Sequence, residues 1–198
     1  MFNGQLGQST GPAYDIELKE GVTPYHARPF TVPKCYELAL KKEVLRLSQI
    51  GALRKVNRSE WAAPTFLIPK KDQTVRFISD FRELNKRIKR KPFPIPRIQD
   101  LLLKLEGFQY ATSLDLNMGY YHIELTPFSK SLCTFVLPWG KYEYQRLPMG
   151  LCNSPDIFQE KMSELMAGLE FVWAYLDDLL IITKNSWEDH LNCLNQVL

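Results

Sequence analysis

The chain has 198 residues, of which 45% are hydrophobic and 24% charged, and carries a formal net charge of +3. That is globular composition with enough apolar residues for one large core or two small ones, and it excludes a disordered or collagen-like chain. No run of about 20 apolar residues exists, so no helical membrane span is expected, and no basic stretch followed by an apolar core marks a signal peptide.

The charge is uneven. From Lys70 to Lys91 nine basic residues stand against three acids, and from Asp156 onward eight acids stand against two lysines. A basic half and an acidic half suit a polyanion and a metal respectively, although charge runs also occur as plain solvated surface. Cys35, Cys133, Cys152 and Cys193 are widely spaced. They form no Cys-x-x-Cys pair, so they read as reduced thiols without zinc or a disulfide framework.

In chain order, residues 1–32 are rich in glycine and proline and read as an irregular lead-in. Pro33 opens a helix, with Tyr36, Leu40, Val44 and Leu47 at helical spacing and Gly51 closing it. Residues 64–70 and 75–80 read as two strands around a turn at 71–74. Lys70, Lys71 and Arg76 sit near the tip of that hairpin, where they suit phosphate, though a charged edge also deters aggregation. Pro92, Pro94 and Pro96 make an extended connector and a plausible subdomain boundary. A short helix is expected over 97–105, then a strand over 110–116 that carries Asp115 among apolar neighbours. Asn117–Tyr121 reads as a tight or helical turn. A second hairpin is expected from 131–137 and 141–147 around Trp139-Gly140. Asn153 or Ser154 then caps a helix with Pro155 in its first turn and Phe158, Met162, Leu165 and Leu169 on its inner face.

The stretch Phe171–Thr183 is an apolar run broken by Asp177 and Asp178. It reads as two strands meeting at a turn that holds adjacent carboxylates. Two like charges about 4 Å apart repel by about 4 kcal/mol at an effective dielectric of 20. A hard divalent cation such as Mg²⁺ relieves that cost, because it takes carboxylate and phosphate oxygens. Solvated aspartates in an ordinary turn are the alternative. Ser186 begins a last helix with Asp189 three residues on, and Trp187, Leu191, Leu194 and Leu198 fall on one face. This order of elements predicts an α+β fold, an antiparallel sheet with helices on one face. Asp115, Asp177 and Asp178 together fit two-metal phosphoryl transfer, a chemistry shared by polymerases, nucleases and phosphatases.

Five blocks in one order carry a resemblance. Tyr175-Leu176-Asp177-Asp178 resembles the Tyr-x-Asp-Asp signature of reverse transcriptases. Trp61-Ala62-Ala63-Pro64 with Ile68-Pro69-Lys70-Lys71-Asp72 resembles the start of their fingers hairpin, and Val75–Asn85 its return strand. Ser113-Leu114-Asp115-Leu116 with Gly119-Tyr120 resembles the first catalytic motif. Leu147-Pro148-Met149-Gly150-Leu151, Ser154-Pro155 and Phe158 resemble the block before the central helix. From Pro92-Phe93-Pro94-Ile95-Pro96-Arg97-Ile98 onward the chain looks most like the gypsy-type LTR-retrotransposon branch. The resemblance covers roughly residues 14–198.

The resemblance implies a right-hand fold with fingers and a ferredoxin-like palm. Fingers would occupy 33–96, and 97–198 would be mostly palm with a fingers insertion at about 126–150. It implies an RNA-directed DNA polymerase, a nucleotidyltransferase of a retroelement that integrates as DNA. Asp115, Asp177 and Asp178 would hold two Mg²⁺ ions, with Mn²⁺ as a substitute. Lys70 and Arg76 would bind the incoming deoxynucleoside triphosphate. Tyr120 would exclude a ribose 2′-hydroxyl. Met149 stands where retroviral members carry a glutamine and would pack on the nucleotide without a strong hydrogen bond. Asp80 and Arg82 would support the template strand. Implied partners are an RNA or DNA template–primer and the rest of a pol polyprotein (thumb, RNase H, integrase, protease), with no membrane. The implied location is cytoplasmic, in a retroelement particle, with the nucleus as the other compartment. The family's primer-grip hairpin, thumb and RNase H domain do not occur within these residues. A truncated or domesticated fragment that binds template–primer without catalysis is the alternative function.

Overall fold

The computed structural model describes residues 5–71, 74–96, 99 and 107–198. The helix expected over 97–105 lies almost wholly outside the described residues. The chain divides into two compact units, one built from residues up to Arg90 with Tyr120–Ser154, the other from Lys91–Gly119 with Pro155–Leu198.

The first unit opens with the irregular lead-in, which is tied down by backbone bonds. Tyr14 donates to the Glu124 carbonyl, Thr126 donates to the Tyr14 carbonyl, Ala62 donates to the Tyr25 carbonyl and Ala27 donates to the Ala62 carbonyl. Ile16 is buried and its N–H donates to Ser129 Oγ at 2.7 Å. Helix α1, Lys34–Gln49, follows Pro33 and buries Leu40, Val44 and Leu47. It ends in a Schellman turn. Gly51, at φ 78°, donates to Ser48, and Ala52 donates to Leu47.

A strand not expected from the sequence, β1 (Leu53–Val56), comes next. Then β2 (Ala63–Pro69) and β3 (Val75–Ser79) form the basic hairpin, with Lys70 N–H closing onto the Thr74 carbonyl. The one-turn helix α2 (Arg82–Asn85) leads toward the connector. After a 3₁₀ turn at Gly119–His122, the chain enters helix α3, Pro127–Leu132, and strands β5 (Thr134–Leu137) and β6 (Gly140–Tyr144). The strand expected from residue 131 therefore starts at 134. Thr126 caps α3 by accepting from Ser129 N–H, and Pro127 fits its first turn, so 131–132 are helical. The return strand stops at Tyr144 rather than 147.

The sheet order is β1-β6-β5-β2-β3, with β2 and β5 parallel and the other pairs antiparallel. Phe135, Phe81 and Leu137 lie at its centre, and the Phe135 ring stands 5.2 Å from Tyr144 and 5.5 Å from Phe77.

The second unit holds an antiparallel sheet of order β4-β8-β7, from β4 (Tyr110–Asp115), β7 (Val172–Tyr175) and β8 (Asp178–Thr183). β8 alternates, with Leu179, Ile181 and Thr183 buried. β7 is only half-buried along its length. Helix α4, Ser154–Leu165, buries Ile157, Phe158 and Met162. Leu165 is exposed, and the helix ends before Leu169, so the inner face is shorter than the expected one. Both residues expected at its cap bond to the loops before it. Ser154 donates to the Pro148 carbonyl and the Asn153 amide donates to Tyr14 and the Lys89 carbonyl.

Helix α5, Trp187–Val197, begins with the expected capping box, Ser186 and Asp189 bonding reciprocally. Its inner face differs from the expected one. Trp187, Leu191 and Leu198 are exposed, and His190 is the buried residue. His190 Nε2 meets Thr112 Oγ1 at 2.8 Å and Nδ1 meets Thr183 Oγ1 at 2.9 Å, which ties α5 to β4 and β8. No helix among the described residues is long and apolar enough to cross a membrane.

Candidate active site

Asp115 is the last residue of β4 and Asp178 the first of β8, and their Cα positions pair directly across the ladder. Asp177 occupies the turn between β7 and β8. The residue before it, Leu176, has φ 50°, an uncommon conformation for a branched side chain, and its strain localises at the carboxylate turn. Two contacts hold the turn in that state. Leu176 N–H donates to Gln159 Oε1 at 2.9 Å, and Gln159 Nε2 donates to the Ala174 carbonyl at 3.0 Å. The Asp177 carbonyl accepts from Leu116 N–H at 2.8 Å, which joins the turn to the end of β4. Gln159 is buried to 1% exposure on α4, so its amide is a rigid clamp.

The three carboxylates differ in surroundings. Asp115 and Asp178 are exposed, and Asp177 is half-buried. Asp177 Oδ1 is shielded from solvent and has no hydrogen-bond partner. Burial, then the charges of Asp115 and Asp178, push the Asp177 carboxyl above the usual carboxylate range. An isolated buried carboxylate oxygen is costly, and the charges around it are of the wrong sign to relieve it. Oxygen donors of this kind match a hard divalent cation. Among the described residues, no three His, Cys, Asp or Glu side chains close around a metal position. The carboxylates therefore form an open edge, which suits an ion that takes its remaining oxygens from substrate phosphates.

Gly119 faces this edge at close range. A Cβ there would lie 2.6 Å from Phe158 and 3.3 Å from Asp177 Oδ1, so only glycine fits. Met118, at φ 59°, precedes it in the same turn.

The first unit carries the remaining expected residues. Lys70 and Arg76 are exposed on the hairpin. Tyr120 is buried and Met149 is exposed. Asp80 holds Arg82 through a forked ion pair, Arg82 Nη2 to Oδ2 at 2.6 Å and Nε to Oδ1 at 2.9 Å. That guanidinium keeps the Asp80 carboxyl below its ordinary value. Both residues line a cavity of about 350 Å³ with Tyr25, Phe30, Pro64, Glu83 and Lys86.

Sequence reading missed Gln159, Gly119 as a close-approach site, and Asp156. Asp156 is buried and accepts from Phe93 N–H at 2.9 Å, anchoring the proline-rich connector. The available signal was a Gln and an Asp beside the buried positions Phe158 and Ile157 of α4, a place where polar residues need partners.

The chain resembles known proteins in sequence and in fold. The reverse transcriptase (RNA-dependent DNA polymerase) family pattern matches residues 68–198. The retrovirus-related Pol polyprotein from transposon 297 of Drosophila melanogaster is 32% identical over 182 residues, 88% of this chain and 17% of that protein. The transposon Tf2-3 polyprotein of Schizosaccharomyces pombe is 30% identical over 190 residues, 95% of this chain and 14% of that one. The chain thus spans roughly a sixth of the length of the polyproteins it matches. The crystal structure of the prototype foamy virus protease-reverse transcriptase superposes with a TM-score of 0.89 at 25% identity, over 99% of this chain and 26% of that one. The foamy viral enzyme in complex with RNA/DNA hybrid superposes with a TM-score of 0.89 at 23% identity, over 99% of this chain and 26% of that one. These matches cover the fingers and palm region.

Proposed function

Because the chain belongs to the reverse transcriptase (RNA-dependent DNA polymerase) family, we propose that it is the fingers–palm core of a retroelement polymerase. It would add deoxynucleotides to a primer 3′ end on an RNA or DNA template. The observation that carries the reading is the buried, unpartnered Asp177 Oδ1 beside two further carboxylates at one sheet edge.

The family depends on divalent metal. Asp115, Asp177 and Asp178 would hold two Mg²⁺ ions, which supply a lowered pKa at the primer hydroxyl and neutralise the leaving pyrophosphate. The protein's own contribution is position and charge. Gln159 fixes the Asp177 turn, and Leu116 N–H fixes its carbonyl. Gly119 leaves room at the edge where a side chain would collide. Lys70 and Arg76 would take the triphosphate as charge-assisted donors. Tyr120, as a rigid buried ring, would reject a 2′-hydroxyl, and Met149 would pack on the base or sugar. Asp80 presents Arg82 in a fixed orientation suited to a template phosphate. The foamy viral relative bound to RNA/DNA hybrid supports a template–primer as partner.

Primer extension with Mg²⁺ tests this, with the parent beside Asp177→Asn and Asp115→Asn. We expect extension by the parent and a loss of at least a hundredfold in both variants. Extension at the parental rate in either variant would end the two-metal assignment.

A further inference from the structure

A buried line of hydroxyl groups lies at the root of the basic hairpin, and none of the roles above uses it. β2 pairs with β5 only at Ala63 and Pro64. From Thr65 outward it pairs with β3 alone, through the rungs Thr65–Ser79 to Pro69–Val75. On the outer rungs Phe66 and Ile68 of β2 are exposed, while Val75 of β3 is buried. The segment that carries Lys70 and Arg76 is therefore a two-stranded ribbon projecting from a sheet, and such ribbons are marginal when unsupported.

At the rung where the ribbon leaves the sheet, Thr65 Oγ1 lies 3.4 Å from Ser79 Oγ. Ser79 Oγ lies 3.1 Å from Tyr144 Oη on β6. The Tyr121 ring stands 6.2 Å from that of Tyr144. Thr65, Ser79 and Tyr144 are all less than 5% exposed. The Tyr144 ring is wedged between Phe135 at 5.2 Å and Phe81 at 6.0 Å, so its hydroxyl cannot swing away. At the far end, Tyr121 stands near the Glu43–Arg46 ion pair of α1. Burial pushes the Tyr121 phenol up to about 12 and the Tyr144 phenol well above its ordinary value, so both remain protonated donors.

The ribbon is held otherwise by the Phe77–Phe135 ring contact at 5.5 Å and by α1, which packs against β3. Apolar contact is non-directional. It keeps the ribbon down without setting its angle, whereas hydrogen bonds have preferred directions.

We propose that Thr65, Ser79 and Tyr144 are positioning residues, a hydroxyl relay that sets the angle of the β2–β3 ribbon and so aims Lys70 and Arg76 at the incoming triphosphate. The proposal rests on the polymerase reading. Its anchoring part stands without it.

The test uses the full chain with Tyr144→Phe and Ser79→Ala, each deleting one oxygen, and Ser79→Thr, which keeps the hydroxyl. Hydrogen exchange without substrate reads the ribbon directly. We expect β2 and β3 amides to exchange at least tenfold faster in the two deletions, with β1 amides within twofold of the parent and Ser79→Thr close to parental. In primer extension, KM for the deoxynucleotide should rise at least fivefold in the deletions with kcat within twofold. Uniform acceleration across β1, β2 and β3 would reduce the relay to general stability and overturn the proposal, as would unchanged exchange in the ribbon. Faster ribbon exchange with an unchanged KM would overturn its aiming role. If Tyr144→Phe does not fold, Ser79→Ala decides. A parent without extension would sink the polymerase reading and with it the aiming role, while the exchange data would still judge the anchoring.

Discussion

Asp177→Asn should stabilise the metal-free protein at neutral pH while destroying its response to Mg²⁺. The Asp177 carboxyl is raised by burial first, then by Asp115 and Asp178. A carboxyl whose folded pKa lies above its unfolded value, about 3.9, favours the fold while protonated. That contribution is complete below about pH 4 and is lost as pH rises through the raised value. At pH 7 the ionised group therefore opposes folding. Coulomb's law gives about 4 kcal/mol for like charges at 4 Å and an effective dielectric of 20. Asp115 and Asp178 are exposed, so solvent screening reduces each repulsion to about 1 kcal/mol or less. Asparagine removes the charge and offers an N–H₂ donor to its neighbours. A net gain of about 1–2 kcal/mol corresponds to a rise in Tm of about 2–8 °C for a chain of this size. The gain should vanish at pH 4. Mg²⁺ at ten times its Kd should stabilise the parent by about 1.4 kcal/mol, and the variant far less. Thermal melts at pH 4 and 7, with and without Mg²⁺, decide the matter. A variant that melts below the parent at pH 7, or that responds to Mg²⁺ as the parent does, refutes the reasoning.

Gly119→Ala places a Cβ 2.6 Å from the Phe158 ring and 3.3 Å from Asp177 Oδ1. Extension should fall at least tenfold while circular dichroism keeps its native shape; a fully active variant would show that this approach is not required. Gln159→Leu strips the partners from Leu176 N–H and the Ala174 carbonyl, costing about 1–3 kcal/mol in urea denaturation. A stability loss under 0.5 kcal/mol, within the range of about ±0.5 kcal/mol usual for featureless sites, would demote the clamp. Tyr120→Val should raise ribonucleotide incorporation relative to deoxynucleotide by about 10- to 200-fold, the scale of one or two methylene-sized steric exclusions. Undiminished exclusion of ribonucleotides in single-nucleotide incorporation assays would place the gate elsewhere. His190→Phe removes both threonine bonds that tie α5 to the sheet, and should lower Tm by several degrees without altering KM for nucleotide.

The residues proposed to carry the chemistry were legible because they break local rules. Asp115 and Asp177-Asp178 interrupt strands that otherwise read as apolar, and Lys70 and Arg76 flank a turn between two strand-like segments. The hairpin's pairing was legible for the same reason, since a one-residue slip would put Val75 and Ser79 on the wrong face. What was not legible depends on which of two neighbouring stripes faces inward. On α5, spacing selects Trp187, Leu191 and Leu198, yet the buried residue is His190, because Thr112 and Thr183 on adjacent strands offer its ring two hydroxyls. Helix α3 is six residues long, too short for a 3.6-residue period to register, and only its Thr126-Pro127 cap gave it away. Gln159 and Tyr144 are the sharpest cases. Each carries a polar group that an isolated sequence assigns to the surface, and each is buried because a distant backbone or hydroxyl meets it there. A carboxylate set among apolar residues, as Asp177 is, conflicts with its neighbours in sequence. Gln159, which holds the turn beside it, shows its meaning only when residues far apart in sequence are brought together.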